Sequence, residues 1–113
     1  MDEKYSIKDV LKSDFIILPG VGSFQHCKES ISKYKGLVNA LFETVVIKSK
    51  PFLGICVGMQ LLADFGFENG KHEGLGWING NVKLLKNEIN LVNGNLKIPH
   101  MGWNNLEIIN KDN

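Results

Sequence analysis

The chain contains no arginine: its 13 basic residues are all lysines, set against 12 acidic ones for a net charge of +1. That balance offers no electrostatic footprint for nucleic acid or for an anionic membrane. Cysteine is scarce too. Cys27 and Cys56 are the only two, too few for a disulfide scaffold. No Cys-x-x-Cys pair exists and the three histidines are far apart, so no structural zinc site is expected. Neither a metal nor a cofactor is called for. No apolar run approaches the roughly 20 residues that span a bilayer. The start, Met1-Asp2-Glu3-Lys4, lacks the basic-then-apolar layout of a signal peptide. The expected location is the cytoplasm. Repeats, low-complexity tracts and linkers are missing as well. With 113 residues there is room for one small domain, and 43% apolar content is ordinary for a domain with a core.

What is present is an alternation of short apolar runs and amphipathic stretches. Ile7, Val10 and Leu11 predict a short helix over residues 7–13. Residues 15–18, Phe-Ile-Ile-Leu, predict a buried strand that Pro19-Gly20 ends, running into a loop over residues 19–23. Residues 24–34 are polar and mixed. Leu37, Val38, Leu41, Phe42, Val45 and Val46 place one apolar face on a helix over residues 36–49. Pro51 opens a second apolar strand over residues 52–55. Cys56 follows, and good helix formers predict a helix over residues 57–65. This order predicts an α/β fold, a parallel sheet covered by helices. After Gly66 the texture changes. Strands are expected at residues 75–77, 82–85, 96–98 and 106–109, with Asn93-Gly94 turning a hairpin between 89–92 and 96–98. They read as a small mixed or antiparallel extension.

Cys56 carries the chemistry. A side chain on a sharp strand-to-helix turn is held out from the backbone, where a substrate reaches it. Gly54 and Gly58, two before and two after, relieve the crowding where strand and helix meet. This is the logic of a nucleophile elbow, with Cys in place of Ser. The helix N-terminus favours the thiolate, which is the attacking form, and the N–H of Val57 is placed to face an oxyanion. A second donor has to come from a neighbouring loop. Pro19-Gly20-Val21-Gly22 ends the other strand, and in a parallel sheet both loops emerge at the same edge. Gly20-x-Gly22 alone is also compatible with a plain turn. It is no dinucleotide fingerprint, because the third glycine would fall at Gln25. A lone cysteine is most often a small buried hydrophobe; Cys27 reads that way and has no assigned role. His26 and His72 read as surface residues, and Trp77 as a packing residue.

The segment Pro51-Phe52-Leu53-Gly54-Ile55-Cys56-Val57-Gly58-Met59-Gln60-Leu61-Leu62 resembles the nucleophile segment of class I glutamine amidotransferases. Three more segments sharpen the resemblance to the glutaminase subunits of imidazole glycerol phosphate synthases. They are Ile17-Leu18-Pro19-Gly20-Val21-Gly22-Ser23-Phe24, Glu73-Gly74-Leu75-Gly76-Trp77-Ile78-Asn79-Gly80 and Ile98-Pro99-His100-Met101-Gly102-Trp103-Asn104. The resemblance implies a flavodoxin-like three-layer sandwich. It implies that the Cys56 thiolate attacks the side-chain amide of glutamine, that ammonia leaves from a glutamyl thioester, and that water releases glutamate. Val21, Gly22 and Val57 would form the oxyanion hole, and Gly22, Gln60 and Glu68 would hold glutamine. The ammonia would pass to a (β/α)8-barrel cyclase subunit in a heterodimer, with Pro99, His100, Met101 and Trp103 at the interface. Met101 and Trp103 are equally readable as core residues.

The family's histidine base and its orienting carboxylate sit in a His-Pro-Glu segment. None of His26, His72 and His100 has that context. The family's first strand and first helix have no counterpart either. Residues 1–113 therefore read as a partial amidotransferase domain, expected to have little glutaminase activity alone, since losing a general base typically costs about two to four orders of magnitude in rate. Two alternatives accompany this reading: an ammonia-supplying subunit for a surface-sugar amidotransferase, and a non-catalytic remnant that only docks on its partner.

Overall fold

From the N-terminus the elements are α1 (Ile7–Lys12), β1 (Ile16–Gly20), α2 (Phe24–Ser32), α3 (Leu37–Phe42), β2 (Phe52–Cys56), α4 (Val57–Gln60), β3 (Ala63–Gly66), β4 (His72–Glu73) and β5 (Ile78–Val82). They come from a computed structural model that describes residues 6–85, 99 and 101–110. The two short apolar runs form the parallel pair that places the site, and the first continues through Pro19-Gly20, which were expected to end it, because both pair with β2. β1 and β2 lie in register from Ile16 opposite Phe52 to Gly20 opposite Cys56. Side chains alternate across a strand. Leu18 points inward to the core, while Ile17, Leu53 and Ile55 point outward and are 51%, 55% and 47% exposed.

The core forms where two helices close over the inner face of this pair. Phe24 of α2, Val57 of α4 and Leu61 are buried together, with Leu18, Cys27, Ile31, Leu75 and Val82 packed against them. Full burial of such side chains stabilises by about 1.5–3 kcal/mol each. Residues 24–34, which read as polar and mixed, contain α2. Phe24, Cys27 and Ile31 give it an inner face, and Ser23 caps it, its Oγ accepting the His26 N–H at 3.2 Å. The helix expected over residues 36–49 is α3 followed by a π-helical turn, Glu43–Ile47, in which the Lys48 N–H donates to the Glu43 carbonyl at 2.9 Å. Thr44 on that turn is fully buried, and its hydroxyl donates to the Val10 carbonyl of α1 at 3.3 Å. At the start of α1 the Asp9 carboxylate accepts the Ser6 backbone N–H at 2.7 Å and the Ser6 hydroxyl at 3.0 Å. The backbone bond, then the hydroxyl, holds the Asp9 carboxyl below its usual range.

The second half departs from expectation. The helix expected over residues 57–65 stops at Gln60, and Ala63–Gly66 is a strand instead. The reason lies in the backbone. N–H groups of Gly74, Leu75, Gly76, Trp77 and Ile78 donate to the carbonyls of Asp64, Leu61, Ala63 and Leu62 at 2.7–3.1 Å, so a longer helix loses its acceptors. The strand expected at 75–77 is this crossing segment, and the next strand is β5, which ends at Val82 where another was expected to begin. β3 is central in a three-stranded mixed sheet, antiparallel to β4 and parallel to β5. Trp77 packs edge-on against Phe52, ring centres 5.3 Å apart. Residues 106–109 form no strand; Leu106 and Ile109 are exposed and unpaired by any ladder. The hairpin expected around Asn93-Gly94 lies outside the described residues.

Candidate active site

The parallel pairing of β1 and β2 sets Gly20 directly opposite Cys56, so the turns that leave the two strands stand side by side. At the second turn there is no spare residue: β2 ends at Cys56 and α4 begins at Val57. To reverse direction there, Cys56 adopts φ 55° and ψ −119°. A non-glycine residue in that region carries about 1–3 kcal/mol of strain, and such residues gather at functional sites. The sharpness also demands close backbone contact. A Cβ on Gly58 would collide with the Leu18 carbonyl oxygen, and one on Gly54 would sit 2.6 Å from the Met59 Cα. Both glycines flanking the elbow are thus sterically required. Cys56 itself is exposed. α4 is a single turn of four residues. Its N-terminus therefore offers a few free N–H groups rather than the full macrodipole that a longer helix would supply.

The first turn, residues 21–23, joins β1 to α2. Gly22 lies at φ 110°, open to glycine and strained for other residues. Three side chains fasten this loop. The Cys27 thiol donates to the Val21 carbonyl at 3.4 Å, the Ser23 hydroxyl oxygen accepts the His26 N–H, and Glu68 Oε2 accepts the Phe24 N–H at 2.9 Å. Cys27 is half-buried against the core and also holds the loop. Sequence reasoning gave it no role; its place one helical turn beyond the Ser23 cap was the available signal.

Between the turns lies a cleft of about 370 Å³ lined by Gly22, Cys56, Val57, Gln60, Glu68 and Pro99, among others. That volume is at the lower end of small-molecule pockets. The fold thus gathers residues from four separate stretches of chain. Val21 is not in the lining, and its side chain points to solvent. Met101 and Trp103 are fully in solvent rather than in the core, Trp103 at 104% relative exposure. His100 lies outside the described residues. No histidine among the described residues lines the cleft. His26 is exposed on α2, while His72 is half-buried and its Nε2 donates to the Asn69 carbonyl at 2.7 Å. No group of three or more potential metal ligands converges among the described residues.

Comparisons with known proteins agree on one family. The family model described as glutamine amidotransferase class-I matches residues 2–111. An imidazole glycerol phosphate synthase subunit HisH from Rhodospirillum rubrum is 50% identical over 101 residues, covering 89% of this chain and 45% of that protein. A subunit HisH 1 from Campylobacter jejuni is 49% identical over 105 residues, covering 93% of this chain and 49% of that protein. The HisH subunit from Pelagibacter ubique is 43% identical over 103 residues, covering 91% and 48%. The chain spans about half the length of the curated relatives it matches. With a cysteine on a strained elbow, a glycine loop beside it and a match along nearly the whole chain, the protein belongs to the class-I glutamine amidotransferase family.

Proposed function

We propose that this chain carries the nucleophile half of a glutaminase site that supplies ammonia for imidazole glycerol phosphate synthesis. The observation that carries the reading is the shared cleft, in which the strained Cys56 faces Gly22, Gln60 and Glu68. The Cys56 thiolate adds to the side-chain carbonyl carbon of glutamine, and the oxygen takes the negative charge. N–H groups of the Val21–Gly22 loop and of Val57 stabilise that charge. The C–N bond then breaks, the amide nitrogen takes one proton and leaves as ammonia, and a glutamyl thioester remains on Cys56. Water cleaves the thioester to glutamate and regenerates the thiol. Gln60 and Glu68 hold the substrate, with Glu68 facing its α-ammonium.

By similarity to the relatives named as synthase subunits, the ammonia serves a cyclase partner, a (β/α)8 barrel that makes a heterodimer with this protein. Pro99, His100, Met101 and Trp103 form the docking segment, and the exposure of Met101 and Trp103 supports that placement. A three-layer sandwich and a cytoplasmic setting accompany this reading.

The test is labelling with a chloromethyl ketone analogue of glutamine at pH 9, where an ordinary thiol is largely ionised. Peptide mass spectrometry is expected to place the adduct on Cys56, with protection by glutamine and none by asparagine. Equal labelling of Cys27 and Cys56, or no protection by glutamine, would sink the reading.

A further inference from the structure

Glu68 meets two demands at once. Its Oε2 accepts the N–H of Phe24, 44 residues away in sequence, at 2.9 Å. Phe24 is the first residue of α2, and its N–H is one that a helix leaves unpaired. Ser23 takes the His26 N–H, so Glu68 satisfies a donor that the cap does not reach. A charged acceptor makes this the strongest kind of bond at the loop. Phe24 follows Gly22 by two residues, so the bond pins the exit of the loop whose entrance Cys27 pins at the Val21 carbonyl. Glu68 also lines the cleft, and it makes no other hydrogen bond among the described residues. One carboxylate oxygen is committed to the loop, and the other accepts no hydrogen bond from the described residues.

We propose that Glu68, read above as the acceptor for the substrate ammonium, is also a positioning residue for the oxyanion loop. The proposal rests on the amidotransferase reading above and extends it. Glutamine that docks its ammonium on Glu68 docks on the group that fixes the loop, so substrate recognition and oxyanion stabilisation share one side chain. The two roles separate chemically. Holding the Phe24 N–H needs an acceptor oxygen, whereas holding the ammonium needs the negative charge. A glutamine at position 68 keeps the first and loses the second; an alanine loses both.

The experiment follows Cys56 alkylation in the purified 113-residue chain by the chloromethyl ketone analogue of glutamine. It yields a half-saturating concentration and a maximal rate. Iodoacetamide serves beside it, because direct displacement at its CH2 develops no oxyanion. Glu68→Gln is expected to raise the half-saturating concentration by about tenfold, while the maximal rate stays above half of the parent value. Glu68→Ala is expected to raise it similarly and also to lower the maximal rate by about tenfold, with the iodoacetamide rate unmoved.

Equal maximal rates in the two variants would overturn the proposal and leave Glu68 an ammonium site alone. A parallel fall with iodoacetamide would overturn it as well, by showing general loosening. Should the alanine variant not fold, a tenfold drop in maximal rate for Glu68→Gln would be enough against it. Parent protein that shows no saturable labelling removes the amidotransferase reading itself, and that outcome appears before any substitution is made.

Discussion

Two strand-to-helix turns stand side by side in this molecule, and they are built on opposite plans. The turn after β1 spends three residues, uses a glycine for its left-handed step, and is fastened by Cys27, Ser23 and Glu68. The turn after β2 spends none, places its left-handed step on a cysteine, and has no side-chain cap. The first turn is therefore held by bonds that point outward from it. The second is held by contact, with Gly54 and Gly58 letting backbones meet. Under the proposed function, a loop that presents N–H groups gains from adjustable fastenings. Under the same proposal, a nucleophile gains from a position that cannot relax, because strain locked in by packing keeps the sulfur presented.

Three substitutions test this contrast. Gly58→Ala attacks the turn held by contact, since a Cβ there would collide with the Leu18 carbonyl oxygen. A loss of about 4 kcal/mol or more in urea unfolding is expected, or failure to fold; a loss under about 1 kcal/mol would mean that the close contact is slack. Cys56→Gly releases the strain and deletes the sulfur. It is expected to raise stability by about 1 kcal/mol while abolishing labelling by glutamine analogues, and a fall in the urea midpoint would contradict the strained elbow. Ser23→Ala removes one of three fastenings from the other turn. It is expected to cost about 1 kcal/mol with Cys56 alkylation by iodoacetamide unchanged, and a change in that rate would show the two turns to be mechanically coupled.

The turn after β2 was legible at its place and the turn after β1 only nearby, because Pro19 and Gly20, expected to end the strand, pair with Ile55 and Cys56 and carry β1 two residues further. The signals are local, Pro19-Gly20 near the end of one apolar run and Cys56 between two glycines at the end of the other, and no distant residue has to agree. The helix expected through Phe65 fails for the opposite reason. Leu61, Leu62 and Ala63 are good helix formers, yet their carbonyls bond to a segment more than ten residues downstream. Tertiary hydrogen bonds outweighed a weak local propensity. The alternation at 106–109 misled in a related way, since a strand needs a ladder partner that no alternation supplies. α2 was readable in principle from Ser23 and the spacing of Phe24, Cys27 and Ile31, but its polar majority hid that face. Of the site residues singled out in the sequence, Cys56 by its turn and Gly22, Gln60 and Glu68 by resemblance, all four line one cleft. The grip of Glu68 on Phe24 N–H spans 44 residues and leaves no trace in either segment alone.

The outward row of Ile17, Leu53 and Ile55 has a thermodynamic consequence. A ligand that covered that row, binding the folded chain and not the unfolded one, would stabilise the fold by RT ln(1 + L/Kd), with L its free concentration, and make the melting temperature depend on that concentration. A thermal scan run at increasing protein or partner concentration becomes an assay for what belongs on that row.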